Sequence, residues 1–160
     1  ARTKELLFWE DKFRELSDEV IVTTDDGSYG HKGVVTDPLK EILQEREIAH
    51  VVAIGPLIMM KFVALTTNGE GDLPRVPTTV SLNTIMVDGT GMCGGCRFQT
   101  TSGDVQFACV DGPDVDGHDV DFDNLMERSS RFVDFEKERL HSFDDECRAI
   151  KKHKETVGES

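Results

Sequence analysis

VIVTTDDGSYGHKGVVTDPLKEILQEREIAHVVAIGPLIMMKFVAL, residues 20–65, is the stretch that decides the fold class. Val20-Ile21-Val22-Thr23 is a short β-branched run, reads as a buried strand, and stops in the loop Asp25-Asp26-Gly27-Ser28. Residues 34–44 read as a helix, with Thr36 or Asp37 as cap and Pro38 in the first turn. His50-Val51-Val52-Ala53-Ile54 is a second buried strand, ended by Gly55-Pro56, and residues 57–65 read as another helix. Upstream, TKELLFWEDKFREL (residues 3–16) carries Leu6, Leu7, Phe13 and Leu16 on an approximate apolar face and predicts one helix. The order helix, strand, helix, strand, helix predicts an α/β layer in which crossovers make the strands parallel.

Downstream the character changes. Residues 67–77 form a linker with Gly69, Gly71, Pro74 and Pro77, and residues 80–87 look extended. RFQTTSGDVQFAC (residues 97–109) reads as a hairpin turning at Gly103-Asp104. Six aspartates follow in residues 111–123, and a helix is expected from Leu125, with Leu140, Phe143, Cys147 and Ile150 as a packing stripe. The expected division is residues 1–77, 78–124 and a helical tail, 125–160.

Composition sets the outer bounds. Of 160 residues, 38% are hydrophobic and 14 are glycine, which is globular and excludes global disorder. The formal net charge of −13 disfavours nucleic acid and anionic membrane as partners. The longest apolar run, residues 51–60, is interrupted by Gly55-Pro56 and is too short to span a bilayer. No signal peptide is expected before the first strand, and a cytoplasmic location is expected. The chain opens on Ala1 and reads as a piece of a longer protein.

Three of the four cysteines cluster in Asp88-x4-Cys93-x2-Cys96-x12-Cys109. A plant-type 2Fe–2S site has the spacing C-x4-C-x2-C and a distant fourth Cys. Here the spacing is kept and the first position is Asp. The glycines between the donors suit a loop folded tightly round a cluster, with backbone N–H groups near the sulfurs. A structural zinc site, with three thiolates and Asp88 or water, is the alternative, and an unmetallated loop a further one. Gly89-x-Gly91-x-x-Gly94 matches a dinucleotide fingerprint only formally, because no helix follows it. The aspartates fail the EF-hand pattern, with Asn124 where Gly is needed and Ser130 where Glu is needed. Cys147 on its stripe reads as a core residue.

In a doubly wound sheet, ligands lie at the carboxyl ends of the strands. The loop Thr24–Ser28 and the Gly55-Pro56 turn both qualify, and their carboxylates and glycines suit ribose hydroxyls and close backbone approach. An ordinary turn with capping aspartates is the alternative. No Gly-rich phosphate loop follows a strand.

The stretches ARTKELL, VTTDDGSYGHKGVVTDPLKEIL, HVVAIGPLIMMKFV, VSLNTIMVDGTGMCGGCR and FACVDGPDVDGHDVDFDNLM cover about residues 1–126. In them the chain resembles the C-terminal part of the small, flavin-carrying subunit of NADH-dependent ferredoxin:NADP oxidoreductase, or sulfide dehydrogenase. It is more distantly similar to the electron-transfer subunit of dihydroorotate dehydrogenase. The resemblance implies an incomplete doubly wound parallel sheet of the ferredoxin reductase type, followed by a small 2Fe–2S subdomain with a β-hairpin and a C-terminal helix. It implies Asp88, Cys93, Cys96 and Cys109 as cluster ligands, and nucleotide contacts near Arg2, Thr3, Asp25, Asp26, Gly55, Pro56 and Met59. It also implies FAD and NAD(H) or NADP(H) as cofactors, with the FAD-binding barrel lying before Ala1. The implied activity is electron transfer between nicotinamide, flavin and cluster. The implied partners are a larger flavoprotein subunit with further iron–sulfur clusters, and ferredoxin. The dihydroorotate group resembles a four-cysteine ligand set, so Asp88 favours the first family.

Overall fold

The computed structural model describes residues 1–69 and 71–146. The chain divides into a unit of residues 1–122 and a second from 123 onward. In the first unit the mixed α/β pattern is present, built from small sheets. Strand β1 (Thr23–Thr24) runs parallel to β2 (His31–Lys32). Strand β3 (Val51–Ala53) runs parallel to β4 (Thr78–Ser81), which pairs antiparallel with β7 (Asp114–Asp116). The hairpin of β5 (Arg97–Gln99) and β6 (Val105–Phe107) stands as its own two-stranded sheet. The parallel pairs therefore lie in two separate sheets among the described residues.

Several boundaries differ from the expectation. The helix predicted over residues 3–16 is a 3-10 turn, Lys4–Leu6, followed by α1 (Glu10–Leu16). Trp9 lies between them in the left-handed region, φ 58°, and ends any continuous helix there. The first strand is shifted toward its loop. Residues 1–2 lie beside residues 23–26, the Ala1 nitrogen donating to Thr23 O at 3.0 Å and Asp25 N to Ala1 O at 3.1 Å. Strand β4 begins at Thr78 rather than Val80 and stops at Ser81, so residues 83–87 are irregular.

Two helices match closely. Helix α2 (Thr36–Glu45) buries Thr36, Pro38 and Leu43. Helix α3 (Leu57–Thr66) starts after Pro56 and buries Met60, Val63, Ala64 and Thr66. Spacings of three and four put Met60, Val63 and Ala64 on one stripe, as a core-facing helix requires. The core is completed by Val76, Val80, Leu82, Phe98 and Ala108.

Polar groups tie α3 to β4 and to the 3-10 turn Gly117–Asp119. Thr67 Oγ1 lies 3.0 Å from Val63 O, accepts from Thr78 Oγ1 at 2.6 Å, and stands 3.1 Å from His118 Nε2.

Gly30 has φ +65°, and a Cβ there would run into the carbonyl oxygen of Val22. His31 N–H donates to that same oxygen at 2.8 Å. Gly30→Ala is expected to destabilise the chain by about 1–3 kcal/mol, the cost of a non-glycine residue held left-handed. Urea denaturation checks this, and an unchanged midpoint would contradict it.

The described part of the second unit consists of α4 (Phe122–Ser130), which begins at the division, and α5 (Val133–Glu146). The single helix expected from Leu125 is thus two. Their break is at residues 131–132, after Ser130 Oγ has turned back to donate to Glu127 O at 2.9 Å. Cys147 and Ile150 of the expected stripe lie outside the described residues.

Candidate metal centre

The loop between β4 and β5 is organised by Asp88. Its Oδ1 accepts the N–H of Thr90 at 3.0 Å and its Oδ2 accepts the N–H of Cys93 at 2.9 Å. The Thr90 hydrogen bond, helped by those from Cys93, holds the carboxyl below its ordinary value of 3.8. A lowered carboxyl favours the hydrogen-bonded loop at every pH above that value. The contribution disappears as pH falls through the lower, folded-state value. At neutral pH Asp88 is therefore an anionic oxygen donor with lone pairs to spare.

The sulfurs arrive from both sides of the hairpin. Cys96 ends the loop, is 2% exposed, and has its Sγ 3.2 Å from Cys109 Sγ. The register sets Arg97 opposite Phe107, and Ala108 N–H donates to Cys96 O at 3.1 Å, so the hairpin itself makes this approach. The shared hydrogen bond with Cys96 pushes the Cys109 thiol up, and burial and the Asp88 charge act the same way. Cys93 is exposed, and its Sγ accepts from Gly95 N–H at 3.4 Å. Gly91 sits at φ +83°, and a Cβ there would stand 2.7 Å from Val110 Cγ2. A side chain at position 91 would press on the turn after β6 that carries Cys109.

Among the described residues no three His, Cys, Asp or Glu groups converge on one metal ion. A two-iron cluster spreads its ligands over two irons, so pairs of donors are the pattern to seek. Cys96 and Cys109 touch through sulfur, and the Asp88 carboxylate is held next to Cys93 by that residue's backbone N–H. Three soft thiol donors, one ionised carboxylate and nearby backbone N–H groups make a donor set that suits iron and sulfide.

Two structural contributors were not singled out from the sequence. Asp111 Oδ2 accepts Phe107 N–H at 2.7 Å and closes the turn that presents Cys109. The Asp-Gly-Pro run at 111–113 carries that turn signal inside the acidic stretch. His118 is the other, its ring anchored on Thr67.

The expected nucleotide positions fall into two groups. Arg2 and Thr3 lie beside Asp25 and Asp26, Asp26 N–H donating to Arg2 O at 3.3 Å. The Asp26 carboxylate accepts from Ser28 Oγ at 2.7 Å and Ser28 N at 2.9 Å, and the Ser28 hydroxyl is the main cause of its lowered pKa. Asp26 thus shapes the turn, whereas Asp25 is exposed and makes no side-chain hydrogen bond among the described residues. Gly55 and Pro56 follow β3, and the Met59 methyl folds over Gly55 where a Cβ would stand. Among the described residues no hydrogen bond joins the two groups.

Comparison with known proteins decides what this loop and hairpin are. Residues 83–121 match the model of the iron–sulfur cluster binding domain of dihydroorotate dehydrogenase B. The chain is 52% identical over 137 residues to a dihydroorotate dehydrogenase B (NAD(+)) electron transfer subunit homolog of Thermotoga maritima, covering 86% of this chain and 46% of that protein. It is 51% identical over 134 residues to a protein of Clostridium beijerinckii encoded in the adh 3′ region, covering 82% of this chain and 44% of that protein. Among solved structures it resembles a chain of NADH-dependent reduced ferredoxin–NADP oxidoreductase, studied for flavin-based electron bifurcation. The TM-score is 0.75 and the identity 46%, over 89% of this chain and 49% of that one. The chain spans less than half the length of these relatives. The iron–sulfur binding domain contains all four expected ligand positions, from Asp88 to Cys109. No helix among the described residues is long and apolar enough to cross a membrane.

Proposed function

We propose that the protein is part of an electron-transfer subunit whose 2Fe–2S cluster is held by Asp88, Cys93, Cys96 and Cys109. The observation that carries this reading is the placement of donors within the family-matched segment: Cys96 Sγ against Cys109 Sγ at 3.2 Å, and the Asp88 carboxylate accepting from the Cys93 backbone N–H at 2.9 Å. Cys96 and Cys109 would take one iron, and Asp88 and Cys93 the other. Bound there, the cluster supplies one-electron transfer at a potential set by its ligands and hydrogen bonds. The chain's own residues hold it in register. Asp88 fixes the loop, Asp111 fixes the turn below Cys109, and Gly95 N–H directs a hydrogen bond at Cys93 Sγ.

The rest of the reading extends from the relatives. Residues 1–77 contribute part of a nucleotide-binding domain, an incomplete doubly wound parallel sheet to which β1, β2 and β3 belong. In it Arg2, Thr3, Asp25, Asp26, Gly55, Pro56 and Met59 line the NAD(H) or NADP(H) side. The free Asp25 carboxylate is suited to a ribose hydroxyl. Residues 78–124 are the cluster subdomain and 125–160 the helical tail. The whole protein passes electrons between a nicotinamide, FAD and the cluster, in the cytoplasm, and hands them to a larger flavoprotein subunit with further iron–sulfur clusters. Ferredoxin is a candidate external partner.

Iron and acid-labile sulfide analysis on anaerobically purified protein tests the reading, with a visible spectrum and EPR after dithionite. Two irons and two sulfides per chain with a reduced S = 1/2 signal are expected. Colourless protein that binds zinc and refuses iron and sulfide on reconstitution would overturn it. Asp88→Cys is expected to keep a cluster while altering its resonance Raman spectrum and midpoint potential, because a thiolate replaces a harder oxygen donor. Identity with the unsubstituted protein in both measurements would remove Asp88 from the ligand set.

A further inference from the structure

We infer that Cys96 and Cys109 are also a thiol–disulfide site: in the cluster-free protein they close into a disulfide that leaves Cys93 free. Their sulfurs are 3.2 Å apart, and a disulfide bond is ~2.05 Å long, so closure needs side-chain rotation of about an ångström. The antiparallel register and the Ala108-to-Cys96 hydrogen bond already hold the two backbones together. Asp111 holds the turn on the Cys109 side. Cys93 is the exposed thiol, yet its Sγ is hydrogen-bonded to Gly95 N–H and not to another sulfur. Oxidation is therefore directed to the hairpin pair and away from the Cys93-x2-Cys96 couple.

The oxidant is a small-molecule disulfide of the glutathione class. Cys109, the more accessible of the pair, attacks one glutathione sulfur as thiolate, breaks the S–S bond and releases the first glutathione thiolate. Cys96 then attacks the Cys109 sulfur of the mixed disulfide and expels the second glutathione. Two protons pass from the cysteines to the two departing thiolates. Two electrons pass from the cysteine pair to glutathione disulfide, which leaves as two reduced glutathiones. A reductant of the dithiol class reverses the reaction.

The consequence for cluster loading rests on the ligand set proposed above. The disulfide removes two of the four donors, both from the same iron, so oxidised protein cannot take up a cluster until it is reduced. The pair would then act as a loading gate sensitive to thiol redox poise.

The test oxidises cluster-free full chain with glutathione disulfide, blocks remaining thiols with an alkylating agent, and maps tryptic peptides by mass. Cys93 and Cys96 fall on the peptide 76–97, Cys109 on 98–128 and Cys147 on 140–148. The expected product joins 76–97 to 98–128, with fragmentation placing the alkyl group on Cys93. A loop within 76–97, a Cys93–Cys109 link, any link to 140–148, a link between chains, or wholly alkylated cysteines would overturn the inference. Parallel reconstitution measures iron uptake before and after dithiothreitol. Uptake at least about tenfold lower in the oxidised sample is expected, as for loss of metal ligands. Equal uptake in both would overturn the gate. If reduced protein itself takes no iron, the cluster reading fails, and the peptide map still decides the disulfide.

Discussion

Cys96→Ser is expected to reduce iron per chain about tenfold or more, the largest loss of any single substitution at the loop. Cys96 is the deepest of the three thiols, at 2% exposed, and the one in sulfur contact with Cys109. A serine hydroxyl stays protonated at neutral pH and is a harder donor, so it does not replace a thiolate for iron. The substitution also leaves Cys109 without its partner. Iron and labile sulfide analysis after reconstitution, with visible absorbance, measures the effect. Cys147→Ser provides the comparison and is expected to retain full iron content. Loss of iron in Cys147→Ser together with retention in Cys96→Ser would mean that the ligands had been assigned to the wrong cysteines.

Why the ligand spacing was legible in sequence, and other features were not, follows from what each depends on. The spacing from Asp88 to Cys109 is covalent and needs no knowledge of the fold. The hairpin was legible because Gly103 takes φ +93° at its turn and Thr100 N–H donates to Asp104 O at 2.9 Å, a local event. Helix α3 was legible because Pro56 opens it and the apolar stripe follows. The start of β4 was not. Thr78 and Thr67 read as polar, yet they are 2% and 0% exposed because each hydroxyl finds a buried partner. Hydropathy cannot register a satisfied hydroxyl. The break at Trp9 and the second role of Asp88, bracing the loop that it would also help to metallate, depend on contacts that no periodicity reports.

The second large effect is expected at Phe98, where the cluster loop meets the core. Phe98→Ala should lower stability by about 3–5 kcal/mol, the usual cost of removing a buried phenylalanine ring. Phe98 is 2% exposed, lies in β5 two residues after Cys96, and lines the same cleft as Val115 and Val120. Strands β5 and β6 have three residues each, too few for a hairpin to stand without buried side chains beneath it. Weakening that burial loosens the two arms that bring Cys96 to Cys109, so cluster retention should fail along with stability. Val105→Ala, on the partner strand and 56% exposed, should change stability by no more than about 0.5 kcal/mol. Urea denaturation of both variants, with iron release into a chelator followed in parallel, separates local from global loss. Faster release from Phe98→Ala at urea concentrations where the rest of the fold persists would make the hairpin a locally unfolding unit. Release that tracks the global transition would make it one cooperative structure with the core. Indistinguishable Phe98→Ala and Val105→Ala proteins would mean that the ring does not support the metal centre, and that the loop hydrogen bonds of Asp88 and Asp111 hold the donors alone.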